Sequence, residues 1–390
     1  MPKLNDTHIS PVALDQDSTL IAVIEMSQTS WLVAGIIPGI ARQPLKKLAP
    51  EAAAVIGLLE RWRAEAVKAG RRITRVVVAY EAGRDGFWLA RHLGAHGIET
   101  HVIHAASVAV ARTHRRAKTD RLDTNLLKRA FTGWLRGEPG HCTMAAVPTL
   151  EQEDARRPSR ELSKLTGERT RLVNRMKAAL ARHGVRGFNP KLKKAPDRLA
   201  DVRMPDGRPL PPHTVAELRR AMARARLIGD QIREIEADRL ARLRQAPAAG
   251  SHPMVRMLAR VHGIAIPTAD MLVHEVLSRN LRDRRAVARY GGLTGAPDES
   301  GKRRREKGLA RAGNARVRAG MIQLAWRFLR FQPNSALVEW YNARIDQLAG
   351  DRRAIRKRLI VALARKLLIA LWRMVTTGVI PQGLVLRPAA

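Results

Sequence analysis

Cysteine is nearly absent: Cys142 is the only one in 390 residues. A single thiol cannot form an intramolecular disulfide or build a cysteine-cluster zinc centre, and it fits a reducing cytoplasmic compartment. Uninterrupted apolar runs are missing too. The opening "MPKLNDTHISPVALDQDS" has no apolar core of a signal peptide. The most apolar late stretch, residues 358–375, is broken by Arg365, Lys366 and Arg373, so it reads as a buried amphipathic helix and no membrane role is expected. Negative charge is the third shortage. Lys and Arg number 71 against 35 Asp and Glu, a formal net charge of +36. Such an excess repels itself in a free globule and suits a polyanionic partner. It is also unevenly placed: residues 1–110 hold 12 basic and 10 acidic side chains, and residues 111–390 hold 59 and 25. A near-neutral front end joined to a strongly basic remainder suggests one part for chemistry or folding and another for gripping phosphates.

What is present is ample for a core, with 45% apolar residues. Residues 19–38 read as two strands around a polar turn at Ser27–Ser30, 50–70 as a helix ending at a glycine, and 72–83 as a β-branched strand ending at Glu81. A short helix over 85–97, a strand over 98–104 and a helix beginning near Asp120 follow, giving an α/β domain over about residues 18–140. Residues 150–184 and 214–245 read as long charged helices around a Pro- and Gly-rich break. They suggest an arm over 150–245, either an antiparallel or an intermolecular coiled coil. A linker then leads to a mostly helical basic domain over 254–380.

Four carboxylates stand out in the first domain. Glu25 and Glu81 end apolar strands, and an acid at a strand's carboxyl end faces the crevice beyond an α/β sheet. Asp120 and Asp123, three apart in "KTDRLDTNLL", share one helix face. Taken singly, each aspartate is more simply a surface charge or a helix cap. Gathered together, mutually repelling acids call for a cation, and oxygen ligands that share phosphate oxygens suit Mg²⁺.

At these residues the chain resembles a known family. "IAVIEMSQTSWLVA", "VVVAYEAGRDGFWLARHL" and "KTDRLDTNLLKRAF" resemble the blocks of the DEDD transposases of the insertion-sequence one-ten and eleven-eleven group. The likeness continues through "NRMKAALARHGV", "RVHGIAIPTADMLVHEVL" and "YGGLTGAPDESGKRRREKGLARAGNARVRAGMIQLAW", so it spans nearly the whole chain. It implies an RNase H-like, RuvC-like α/β domain, a helical coiled-coil arm and a mostly α C-terminal domain. It implies Mg²⁺ or Mn²⁺ held by Glu25, Glu81, Asp120 and Asp123, although the family's first acid is usually aspartate. By the same resemblance Ser300 is the nucleophile that forms a covalent phosphoserine link to DNA, meeting the acids in a composite site. Lys302, Arg303, Arg304 and Arg305 beside it, with Arg311, Arg316 and Arg318, read as phosphate contacts. The resemblance further implies DNA as substrate, a guide RNA, a homodimer or tetramer, and a bacterial, cytoplasmic, nucleoid-associated protein. Two alternatives stay open: a metal-dependent junction endonuclease in which Ser300 is a bystander, and an inactive remnant that only binds nucleic acid.

Lesser signals are weighed against bland readings. Gly295 and Gly301 have five residues between them and Arg303 replaces the required Ser/Thr, so the block is not a P-loop. "VHGIAIPTAD" is either a helix-hairpin-helix turn or a plain helical turn. His92 and His96 lack a third zinc ligand, and Trp31, Trp88 and Trp326 read as core.

Overall fold

The computed structural model describes residues 10, 12–83, 85–108, 120–300, 303–310, 312–348 and 351–388; within these, only the backbone is described at residues 106, 120, 297–300 and 303–307. The chain divides into two compact units, residues 1–150 and 151–390.

In the first unit the elements run β1 (Thr19–Met26), β2 (Trp31–Ile36), β3 (Leu45–Leu48), α1 (Ala52–Lys68), β4 (Arg75–Glu81), α2 (Trp88–Ala95), β5 (Glu99–Ile103), α3 (Asp120–Leu135) and β6 (Met144–Ala145). They form one six-stranded sheet of order β3-β2-β1-β4-β5-β6. β1, β2 and β3 are antiparallel neighbours, β4 and β5 run parallel to β1, and β6 closes the far edge antiparallel. The central strands are Val- and Ile-rich because both faces are covered. Leu20, Ala22, Ile24, Val78 and Tyr80 pack against Val55, Leu58, Leu59 and Trp62 of α1 and Leu89 and Leu93 of α2. Ile21, Val23, Val77, Ala79 and Ile103 pack on the other face against Leu127, Ala130, Phe131 and Trp134 of α3. Gly35 on β2 makes room for this: a β-carbon there would come within 2.5 Å of the Trp62 ring. The strands β3 and β6 were not expected from the sequence. β3 is only "LKKL", and its two lysines are exposed, as befits a short edge strand that must not recruit another chain.

The second unit is helical apart from one ribbon. A short α4 (Leu150–Asp154) precedes α5 (Arg157–Arg182), α6 (Ala195–Arg198), α7 (Pro212–Gln245), α8 (His252–Ala259), α9 (Ile266–Leu272) and α10 (Arg284–Tyr290). Then come β7 (Gly295–Ser300), β8 (Arg303–Leu309), α11 (Ala315–Phe331), α12 (Ala336–Asp346) and α13 (Arg352–Thr377). The helix expected over 150–184 is split because Pro158 cannot donate an intrahelical bond and starts a new helix at its first turn. α5 and α7 pack antiparallel: Val173, Met176 and Leu180 meet Leu218, Ala221 and Met222 at one end, and Arg239 Nη2 donates to Ser159 Oγ (3.3 Å) at the other. α13 is the apolar run flagged above. Leu363, Ala364, Leu367, Leu368 and Leu371 are buried in the main core with Val317, Met321, Leu324 and Phe328 of α11. No helix among the described residues is long and apolar enough to cross a membrane.

Candidate active site

Strand alternation places the first two acids. Ile21 and Val23 on β1, and Val77 and Ala79 on β4, face α3; Glu25 and Glu81 are the next residues of that same face. Ile24 is in register with Tyr80, so Glu25 and Glu81 stand side by side at the carboxyl ends of adjacent parallel strands. Neighbouring strands lie about 4.8 Å apart, close enough for two carboxylates to bind one small cation. Both are half-buried. Asp123 lies one turn before Leu127 and two before Ala130, on the stripe of α3 that packs on this face, and is also half-buried. Asp120 opens α3 another turn earlier; its side chain falls outside the described set. Among the described residues no three His, Cys, Asp or Glu side chains gather closely enough to hold a metal ion. The register sets Glu25 beside Glu81, and among the described residues no third such side chain joins them.

Ser300 is the last residue of β7, in an antiparallel hairpin. Ser300 is opposite Arg303, Glu299 opposite Arg304 and Asp298 opposite Arg305. The acidic leg "PDES" thereby lies across from the basic leg "RRRE", and opposite charges in register favour pairing of two legs that lack β-branched residues. Gly301 and Lys302 at the tip, and Arg311 beyond it, lie outside the described residues, as do the side chains of Ser300, Arg303, Arg304 and Arg305.

The hairpin's base is closed tightly. The Ala310 N–H donates to Thr294 O (3.0 Å) and the Asn314 N–H to Tyr290 O (2.7 Å). Gly313 has φ +84°, and a β-carbon there would meet Arg289 O and the Gly292 nitrogen at 2.6 Å. Of the arginines assigned to phosphate, Arg316 is exposed on the first turn of α11. Arg318 donates through Nη1 to Ala312 O (3.2 Å), in the segment that returns from the hairpin.

Sequence reasoning missed a buried charged network behind this base. Glu275 is 1% exposed and sits in a π-helical turn, Val273–Leu277, that continues α9. Its Oε1 accepts from Arg160 Nε (2.8 Å), and its Oε2 accepts from Arg160 Nη2 (3.1 Å) and Asn314 Nδ2 (3.0 Å). Asp270 accepts from Ser159 Oγ (2.7 Å) and lies 3.2 Å from Arg239 Nε. That last contact is a charge pair without hydrogen-bond geometry, which leaves Arg239 Nε without such a bond among the described residues. Burial pushes both carboxyls up. The His274, Arg239 and Ser159 contacts to Asp270, and the Arg160 and Asn314 bonds to Glu275, outweigh it and hold both below the ordinary carboxylate range. The sequence signal was two acids inside the apolar run "TADMLVHEVL".

Other expectations resolve simply. Gly263 turns with φ +96° between α8 and α9, and its α-carbon packs under Phe331, where a β-carbon would be 3.0 Å away. That close packing gives the glycine a structural reason. His92 and His96 are exposed rings 4.6 Å apart, with no metal-holding group of three around them among the described residues. Trp31 is buried, but Trp88 and Trp326 are 40% and 45% exposed and are not core, because each lies off the buried stripe of its helix.

The profile of the IS116/IS110/IS902 transposase family matches residues 255–338, the stretch from α8 through the hairpin into α12. A protein of Sinorhizobium fredii (strain NBRC 101917 / NGR234) with the name "Putative transposase y4rJ" is 42% identical over 393 residues, covering 98% of each chain. On an alignment that covers nearly the whole of both chains at that identity, the chain belongs to the IS116/IS110/IS902 family of transposases.

Proposed function

We propose that this transposase cuts and rejoins DNA strands of an insertion sequence, using Ser300 as nucleophile and Glu25, Glu81, Asp120 and Asp123 as ligands of Mg²⁺ or Mn²⁺. The observation that carries the metal reading is the side-by-side placement of Glu25 and Glu81 on the α3 face. Two oxygen donors at one level of adjacent strands fit a hard, oxygen-seeking cation, and α3 carries the two aspartates on the same face of the sheet. The sheet order, three antiparallel strands followed by two parallel ones, supports an RNase H-like domain. When bound, the cation supplies charge neutralisation for the phosphate and orients its oxygens.

The protein's own groups do the rest. The Ser300 Oγ–phosphorus bond forms as the bond from phosphorus to a deoxyribose oxygen breaks. The serine proton leaves to a basic group, and the departing sugar oxygen takes one up. In the second step another strand's hydroxyl attacks the phosphoserine, restoring Ser300 and a DNA phosphodiester. The number of phosphate ester bonds is conserved throughout, so no nucleotide hydrolysis is required, in keeping with the missing P-loop. The arginines at and after the hairpin stabilise phosphate charge. Base readout is delegated to a guide RNA paired with donor and target DNA. Leu162, Leu165 and Leu172 on α5, with Ile228, Ile232 and Ile235 on α7, are only half-buried in the two-helix arm, which supports further helices packing there in a dimer or tetramer.

The test uses an end-containing DNA substrate with wild type, Ser300→Ala and Asp120→Ala, and denaturing gels to trap protein-linked strands. Adduct is expected from wild type alone. An adduct from the alanine-300 variant removes the serine from the mechanism. Cleavage by wild type with no adduct at all favours the junction-endonuclease reading, in which water is the nucleophile.

A further inference from the structure

We infer that Glu275 is a positioning residue, tying the base of the Ser300 hairpin to the root of the helical arm through Asn314 and Arg160. The inference deepens the reading of Ser300 as nucleophile and rests on it for its catalytic consequence.

Asn314 works at two places at once. Its Oδ1 accepts from the backbone N–H groups of Arg316 (3.0 Å) and Val317 (3.3 Å), capping α11, while its Nδ2 donates to Glu275 Oε2 (3.0 Å). Glu275 in turn takes both prongs of Arg160, from the first turn of α5. A fork-on-carboxylate contact fixes orientation as well as distance. The π-helical turn is held from the arm a second time, by Arg156 Nε donating to His274 O (3.1 Å). One helical turn earlier Asp270 meets Ser159 of α5 and Arg239 of α7. Both arm helices therefore land on the segment that carries Glu275.

A two-stranded ribbon is marginal by itself. Its aim depends on its base, and that base is Asn314, Gly313 and the Tyr290–Gly292 turn. A triad built on a buried carboxylate costs desolvation and is not required merely to glue helices, since an apolar cluster does that at least as well. What the triad adds is a directional link: a shift of α5 moves Arg160, Glu275 and Asn314 together, and with them the hairpin.

The donor–acceptor pattern permits a swap. Asn314→Asp keeps an oxygen for the α11 cap but turns a second oxygen on Glu275, breaking the link. Adding Glu275→Gln remakes the Asn314 side in reverse: the Gln oxygen keeps the Arg160 Nε bond, its amide donates to the new carboxylate, and the Arg160 Nη2 bond to Oε2 is given up. The experiment, on the full chain, measures amide hydrogen exchange over residues 295–309, adduct yield with end-containing DNA, and affinity for that DNA. Asn314→Asp is expected to raise exchange in the hairpin and lower the adduct rate, each by roughly tenfold, as breaking one coupled contact does. DNA affinity stays within about twofold, and the double variant recovers exchange and adduct together in part, since one of the two Arg160 bonds stays broken. Unchanged hairpin exchange in Asn314→Asp, or no recovery in the double variant, overturns the inference. If wild type itself forms no adduct, the serine reading fails. The exchange response and its rescue still decide, separately, whether Glu275 holds the hairpin.

Discussion

Glu25 sits on a strand whose preceding six residues are buried, so its backbone has little room to adjust. Replacing it by aspartate, usual in the family it resembles, draws the carboxylate back by about 1.5 Å. Isothermal titration with Mn²⁺ is therefore expected to show tightest binding in wild type, weaker binding in Glu25→Asp, and a loss of at least about tenfold in Glu25→Gln and Glu81→Gln. Equal heats from all four proteins remove this pair from the ligand set. Other side chains make simpler forecasts. Burial pushes the Cys142 thiol up to about 12, so iodoacetamide at neutral pH should label it only after denaturation; rapid labelling of the native protein contradicts the packing. Glu99 is held down to about 2 by Arg75, whose Nε and Nη2 each donate at 2.7 Å, and by His101. Asp270 and Glu275 are likewise lowered. A lowered folded pKa contributes stability that is complete above the unfolded value and lost as pH falls through the folded one. The melting temperature should accordingly hold down to the ordinary carboxylate range and decline from there towards pH 2. Glu275→Gln should flatten part of that decline.

At the level of elements, close approach decides more than propensity. β2 and α1 meet where Gly35 has no β-carbon to strike Trp62. Gly35→Ala should destabilise the first unit by about 1–3 kcal/mol through overpacking, read as a lower denaturant midpoint at unchanged slope. The strands β1, β2, β4 and β5 and the helices α1 to α3 were legible because β-branched runs and helical spacing marked them. β3 was not, since a four-residue edge strand with two exposed lysines carries no alternation to read. The hairpin was not legible either. Its two legs lack β-branched residues and alternation, and only the backbone register shows that residues 295–300 pair with 303–309.

Across the molecule, charge and fold separate. The α/β unit carries the carboxylates, and most of the net charge of +36 falls in the helical remainder. DNA binding should weaken steeply with salt, log affinity falling linearly with log salt at a slope of about 0.9 per phosphate neutralised. Arg316→Gln should reduce that slope by about one.

The sequence by itself determined the α/β start, the basic helical remainder, the two strand-ending glutamates and the family, because strand alternation, charge count and local motifs are properties of neighbours along the chain. Only the tertiary structure decided that Glu25 and Glu81 share a level, that Ser300 ends a ribbon, and that Glu275 joins α5 to Asn314. Parallel register and hydrogen bonds to buried carboxylates join residues from 39 to 115 positions apart, and no local pattern encodes which distant partner a strand or a carboxylate will meet.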